Sequence, residues 1–222
     1  LQEFTTTGDV KKTARYRWNW LFRAADRVND FSNLFDVVDA FNSPQPEPYT
    51  TNVANLVDVE EWMRIFATEH IIVNFDSWGH DIGKNMYLFL PTSGKAQIYM
   101  FDLDWLMLAA AQNSQYQPGT ATLFNSADPT IASFYAFPPF ARAYWRAVQD
   151  AVNGPLAPQN CDPVMEAKSQ SLFANGIQWC DGQTLTDPSV VETWFNQRRT
   201  YLQAQLATVA SPFSVNPSVT VS

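Results

Sequence analysis

Residues Asp58 to Val73, DVEEWMRIFATEHIIV, constrain this chain more than any other stretch. Asp58, followed three residues later by Glu61, makes a capping-box-like helix start. Trp62, Met63, Ile65, Phe66, Ile71 and Ile72 then cover much of the helix circumference. A helix that is apolar nearly all round must be enclosed, so the rest of the chain has to supply its walls. It has the material: 46% of the 222 residues are hydrophobic, including 16 Phe, 8 Trp and 8 Tyr. That is enough apolar area to offset the conformational entropy of one large domain.

The walls are expected to be helical. Thr13 to Asp30 carries Tyr16, Trp20 and Ala24 at steps of four with arginines between them, which is a helical period. Phe31 to Phe41 reads as a second short helix, and NSPQPEPYTTN after it as loop, because three prolines fall in five residues. Gln112 to Pro129 is irregular. Phe140 to Val152 reads as helix, stopped by Asn153-Gly154-Pro155. Residues 160 to 187 read as loop and helix. Asp187 as N-cap and Pro188 at the first helical position open a last helix. The tail from Ser211 to Ser222 switches to Ser, Pro, Val and Thr, which suggests a linker into a following β domain. The expected organisation is one domain over residues 1–210 with a linker at 211–222. Its fold class is α+β and predominantly helical.

The β component follows the buried helix directly. A loop, NFDSWGHDIGKN, leads into two strand-like runs, Met86 to Leu90 and Ala96 to Phe101, joined by PTSGK with Gly94 available for positive φ. A tight hairpin returns the chain to its starting point, so Asp102 should come back near Asn85. Asp76, Asn85, Asp102 and Asp104 could then converge. Carboxylate and amide oxygens are hard ligands suited to Mg²⁺, and a remaining carboxylate could orient a hydroxyl and accept its proton. Other readings of the same residues stay open at this point. Asp76 could cap a turn. Asp102 and Asp104 could be an exposed strand end or the D-x-D of a sugar-nucleotide transferase, although the helical sequence upstream lacks the nucleotide-binding α/β unit that enzyme would need. Leu106 disfavours a D-x-D-x-T/V phosphatase. His70 reads as a core histidine, His80 as a local hydrogen-bonding group, and Asp81 as solvated loop.

At these residues the sequence resembles the spore coat protein H (CotH) kinase-like family. The likeness lies in VDVEEWMRIFATEHIIVNFDSWGHDIGKNMYLFL and IYMFDLDW, where family members show N-x-D-S, K-N-x-Y-L-Y and W-D-L-D in the same order. The resemblance implies an atypical protein-kinase fold, here its C-lobe portion with a small hairpin. It also implies phosphoryl transfer from ATP with Mg²⁺ or Mn²⁺ to protein Ser or Thr hydroxyls, in secreted or bacterial cell-surface settings. By position, Asp76 looks like the catalytic base, Asn85 and Asp102 like metal ligands with Asp104 as a second candidate, and Lys84 like a phosphate contact. Two departures stand out. Phe101 replaces the family's Trp. No glycine-rich loop or strand lysine precedes Asp76, so an N-lobe is expected to lie upstream of Leu1 or on a separate fragment, and these residues alone are expected to be inactive. A structural or interaction module of a bacterial surface protein is the alternative. Partners would be a protein substrate or neighbouring N-lobe and β domains.

Charge and cysteines bound the rest. The net charge is −8 and the 14 Lys and Arg form no stripe, which argues against a nucleic-acid groove. No apolar run approaches the roughly 20 residues of a membrane span. With two histidines, neither beside a cysteine, a zinc site is not expected. Cys161 and Cys180 stand 19 residues apart in a loop-rich segment. A disulfide between them would stabilise by roughly 3 kcal/mol and imply an oxidising compartment; two free thiols are the alternative.

Overall fold

The computed structural model describes residues 1–23, 30–180 and 183–209. Its centre is α4 (Val59–Ile71), started by the Asp58 side chain accepting the Glu61 N–H at 3.2 Å. Trp62, Met63, Phe66 and Ala67 are wholly buried, as the all-round apolar pattern requires. Against α4 pack α6 (Pro138–Asn153), through Phe140, Ala143, Tyr144, Ala147 and Val148, and α5 (Pro129–Ala136), through Ile131, Phe134 and Tyr135. The other walls are α1 (Thr13–Asn19), α2 (Ser32–Phe41) and α3 (Tyr49–Leu56), with α7 (Pro158–Ala174) and α8 (Pro188–Thr208) beyond α6. The described part is thus mostly helical, with two small antiparallel pairs, β1–β2 and β3–β4.

The first pair positions the site. β1 (Met86–Phe89) and β2 (Gln97–Met100) pair with Met86 opposite Met100 and Phe89 opposite Gln97. Gly94, with φ +96°, takes the turn conformation that residues with a Cβ avoid. The hairpin is fastened to α4 at both ends. Near the start of α4, Ala96 N–H donates to Leu56 O at 2.7 Å and Ala96 O accepts the Trp62 indole N–H at 2.9 Å. Past the end of α4, Met107 N–H donates to Ile72 O at 3.0 Å. Ile98, fully buried, packs the hairpin's inner face into the core. A 13-residue helix is about 20 Å long, so α4 acts as a ruler setting where the hairpin opens.

Several expectations need correction. The helix expected over Thr13 to Asp30 stops at Asn19, where Trp20 turns extended (φ −122°, ψ 105°) and packs edge-on against Trp78 at 5.3 Å. Residues 24–29 of that span lie outside the described residues. The proline-rich stretch is loop only to Pro48. Tyr49 then opens α3, because Tyr49 and Val53, one turn apart, both bury against the core. The irregular stretch contains two short 3₁₀ turns, Ala110–Gln112 and Ser114–Tyr116. It is followed by α5, capped by Asp128 and begun by Pro129, which the sequence reading had not resolved. α7 carries Pro163 as its sixth residue, past the first turn, where it forgoes the N–H bond to Gln159 O. Asp187 caps α8 as expected, accepting the Ser189 N–H at 2.9 Å. The tail expected to be a linker lies outside the described residues.

Candidate functional site

The loop leaving α4 is unusually buried for a loop. Asn74, Asp76, Ser77, Trp78 and His80 are all inaccessible or nearly so. It is held from within: Ser77 N–H donates to Asn74 O, His80 N–H and Gly83 N–H to Ser77 O, and Ile82 N–H to Phe75 O, at 3.1–3.3 Å. It is also pressed onto the helix. A Cβ at Gly79 would lie 2.3 Å from Phe66 Cδ1, and Gly79 O accepts the Tyr135 hydroxyl at 2.7 Å. Phe75 stacks on Tyr116 at 4.3 Å, so the segment after the hairpin closes over the loop.

This packing brings three of the sequence-predicted residues into direct contact. Asn85 Nδ2 donates to Asp76 Oδ2 at 2.7 Å, and Lys84 Nζ lies 2.9 Å from the same oxygen. Asp76 Oδ1 is left without a partner among the described residues. Asp76 is 6% exposed, whereas Lys84 is mostly in solvent, so the pair joins a buried carboxylate to a mobile cation. Asn85 immediately precedes β1. By the strand register, Asp102 lies just past the matching end of β2, at the same open mouth of the hairpin. Both residues have left-handed backbones, φ +59° for Asn85 and +61° for Asp102. Such values are uncommon outside glycine and cluster where a site dictates the backbone.

Asp104 departs from the expectation. As a second candidate ligand two residues after Asp102 it would share that residue's face on a continuing strand, but β2 ends at Met100 and Leu103–Asp104 form a turn, so strand alternation does not apply. Asp102 and Asp104 are both exposed and make no hydrogen bond or ion pair among the described residues. Asn85 and Asp102, beside the strand ends at the mouth, and Asp104 in the turn beyond offer an amide oxygen and two unengaged carboxylates. That chemistry fits a hard cation that keeps waters and phosphate oxygens in its remaining positions, as Mg²⁺ does. It does not fit an all-protein cage, since no three His, Cys, Asp or Glu among the described residues are grouped to hold a metal.

Other residues have different roles from those read in the sequence. Asp81, expected to be solvated, is half-buried; it accepts the Tyr116 hydroxyl at 2.8 Å and also the Asn125 side-chain amide. It ties the covering segment to the loop. His70 is the satisfied core histidine expected, with ring nitrogens 2.7 and 2.8 Å from the carbonyls of Phe66 and Asn125. Burial, with His80 adding to it, pushes His70 down to about 3. His80 Nδ1 accepts the Asp81 N–H at 2.9 Å, a local bond, and burial followed by the Arg198 charge lowers it to about 4. Cys161 is a free, half-buried thiol on α7, so the expected disulfide is not seen among the described residues; the Cys180 side chain lies outside them.

Two residues were missed. Arg198, on α8, is wholly buried and donates to the carbonyls of His70, Ile71, Pro118 and Ala121 at 2.7–3.1 Å. It joins the end of α4 to the segment that covers the loop. Glu69 is buried in the last turn of α4 and bonds Asn74. The available signal was a carboxylate set in the apolar run ATEHIIV, which a solvated glutamate would not need.

No helix among the described residues is long and apolar enough to cross a membrane. No curated protein matches the chain. The sequence profile of the CotH kinase protein family matches residues 3–202, which takes in every element from α1 to most of α8, together with the Asp76 loop and the hairpin. The chain therefore belongs to the CotH kinase protein family.

Proposed function

We propose that this domain is the C-lobe-like part of an atypical kinase that transfers a phosphoryl group from ATP to a protein Ser or Thr hydroxyl. The observation that carries the reading is the contact between Asp76 and Asn85, nine positions apart yet hydrogen-bonded at 2.7 Å. Mg²⁺ (or Mn²⁺) with ATP would supply the transferable group and neutralise its charge. Asn85 Oδ1 and the Asp102 carboxylate would hold the cation, with Asp104 near enough in sequence to contribute. Asp76 Oδ1 would orient the acceptor hydroxyl and take its proton, while Asn85 and Lys84 hold Oδ2 and keep the carboxylate from rotating. Lys84, exposed and flexible, could also turn to a phosphate oxygen. Secretion or display on a bacterial surface, and a protein substrate, belong to the same proposal.

A second reading is a non-catalytic module of a multidomain surface protein. What favours it is the Lys84–Asp76 pair, which neutralises the proposed base, together with the exposure of Asp102 and Asp104. The two readings separate in one assay. A polypeptide extended upstream of Leu1 is incubated with Mg²⁺ or Mn²⁺ and γ-labelled ATP beside its Asp102→Ala form. Label present in the first and lost in the second supports the kinase. Equal labelling, or none in either, leaves the structural module.

A further inference from the structure

Beneath the Asp76 turn lies a pair of side chains that the proposed reaction does not use. Glu69 Oε2 accepts a hydrogen bond from Asn74 Nδ2 at 2.7 Å, and Glu69 O accepts the Asn74 N–H at 2.8 Å. One residue therefore holds Asn74 by both backbone and side chain. Asn74 O then receives the Ser77 N–H, and Asp76 lies inside the turn so closed. Ser77 O in turn receives the N–H groups of His80 and Gly83. The whole loop is built on the Glu69–Asn74 contact.

That contact is chemically incomplete as a carboxylate and an amide. Glu69 and Asn74 are both fully buried, and the atoms left without partners are Glu69 Oε1 and Asn74 Oδ1. Both are acceptors, and a buried acceptor without a donor is costly. A single proton on Oε1 would turn one of them into a donor. Because Oε2 already binds the amide nitrogen of the same side chain, the new O–H would be directed to the amide oxygen beside it. The result is a closed ring of two hydrogen bonds between a carboxylic acid and a primary amide.

We propose that Glu69 is a positioning residue held in its protonated form, paired through both oxygens with the Asn74 amide, and that loss of this proton loosens the turn carrying Asp76. The environment agrees. Burial raises the Glu69 carboxyl to about 7, only partly offset by the Asn74 hydrogen bond. Tyr135, facing it from α5, is pushed well above the usual phenol range and donates to Gly79 O, so it brings no charge. His70 and His80 are kept neutral by burial, and Arg198 of α8 spends its N–H groups on backbone carbonyls. Among the described residues no cation pairs with the Glu69 carboxylate.

The role proposed for Asp76 gives this switch its consequence, but the test reads the proton and the turn directly, whatever reaction the site performs. In the unmodified chain, the ¹³Cδ resonance of Glu69 is followed by NMR from about pH 5 to about pH 9, together with hydrogen exchange at the amides of Ser77, His80 and Gly83. The carboxyl should remain protonated at about pH 6, where an ordinary solvent-exposed glutamate is already ionised. From about pH 5 up to its transition the three amides should lose protection by about tenfold per pH unit beyond intrinsic exchange, and the loss should level off above it. Glu69→Gln, whose amide makes the same ring without a proton, should keep them protected throughout. The proposal is overturned if Glu69 is ionised at about pH 6, as a buried cation or water bridging the two oxygens would allow. Protection that does not change as Glu69 titrates, or a Glu69→Gln loop that is open at every pH, would equally overturn it.

Discussion

Asn85, one residue before β1, and Asp102, two residues past β2, share the same left-handed backbone at the mouth of the hairpin, φ +59° and +61°. Their stability consequences differ because only Asn85 has a partner, Asp76 at 2.7 Å. Asn85→Ala should lose that hydrogen bond and the asparagine side chain's tolerance of the left-handed region, together about 2 kcal/mol. Asn85→Gly should recover about 1 kcal/mol of this by removing the strain. Asp102→Gly relieves strain and breaks no contact, so it should be neutral to slightly stabilising in urea unfolding. A destabilised Asp102→Gly would mean that Asp102 serves the fold rather than a ligand.

Arg198 is the strongest single tie between α8 and the site. Its guanidinium reaches four carbonyls in two segments, and burial lowers it only to about 10, so it stays charged at neutral pH. A lysine ammonium cannot span that fork, and methionine would leave the carbonyls of Ile71, Pro118 and Ala121 unpaired. Arg198→Lys and Arg198→Met should each cost roughly 3 kcal/mol or more in urea unfolding. If Arg198→Met proves nearly neutral, the carbonyls find other donors and the tie is not structural.

The parts of the fold that sequence exposed are those whose signals are local. α4 and α8 announce themselves by Asp58 and Asp187 at their caps, and the hairpin by two apolar runs around Gly94. α3 was lost because its reason is tertiary, and α5 was passed over although Asp128 before Pro129 gives it the same local start as α8, its packing again being tertiary. Tyr49 meets Phe137 and Phe140, and Phe134 meets Phe41, Trp62 and Phe66, none of which is near in sequence. The same division runs through the site. Asn85 and Asp102 could be assigned to one end of the hairpin because antiparallel pairing returns the chain to its start. The role of Asp81 could not be read, since its partners Tyr116 and Asn125 lie 35 and 44 residues away. Arg198 was hidden more deeply still, bonding carbonyls that carry no sequence identity at all.

Gly79 is fixed by close approach rather than by turn geometry. A methyl there would meet Phe66 Cδ1 at 2.3 Å and the Tyr135 hydroxyl oxygen at 2.9 Å. Phe66 is itself wedged between Trp62, Trp78 and Tyr135, so it has little room to yield. Gly79→Ala should destabilise by about 2–3 kcal/mol and raise hydrogen exchange through residues 77–83. Combining it with Phe66→Leu should restore part of that loss, because the smaller side chain opens the space the methyl needs. A double variant no better than the sum of the singles would show that the obstruction lies elsewhere.

The buried titratable groups at the end of α4 make stability depend on pH in opposing senses. His70 and His80, lowered to about 3 and 4 by burial, have folded values below the ordinary 6.5. The unfolded chain therefore binds protons that the folded one refuses, and stability falls as pH drops from about 6.5 toward 4. Glu69, raised by burial from 4.5 to about 7, works in the opposite sense. The folded chain keeps a proton that the unfolded one has released, so its contribution falls as pH rises from about 4.5 to about 7, by an amount on the order of 3 kcal/mol. Two histidines outweigh one glutamate until about pH 7, and above that neither contributes, so this cluster's stability rises with pH to about 7 and is level beyond. Urea unfolding of the unmodified chain should show that rise. Glu69→Gln, which removes the opposing group, should steepen it about twofold between about pH 5 and about pH 6. A variant with an unchanged slope there would place the opposing proton on some group other than Glu69.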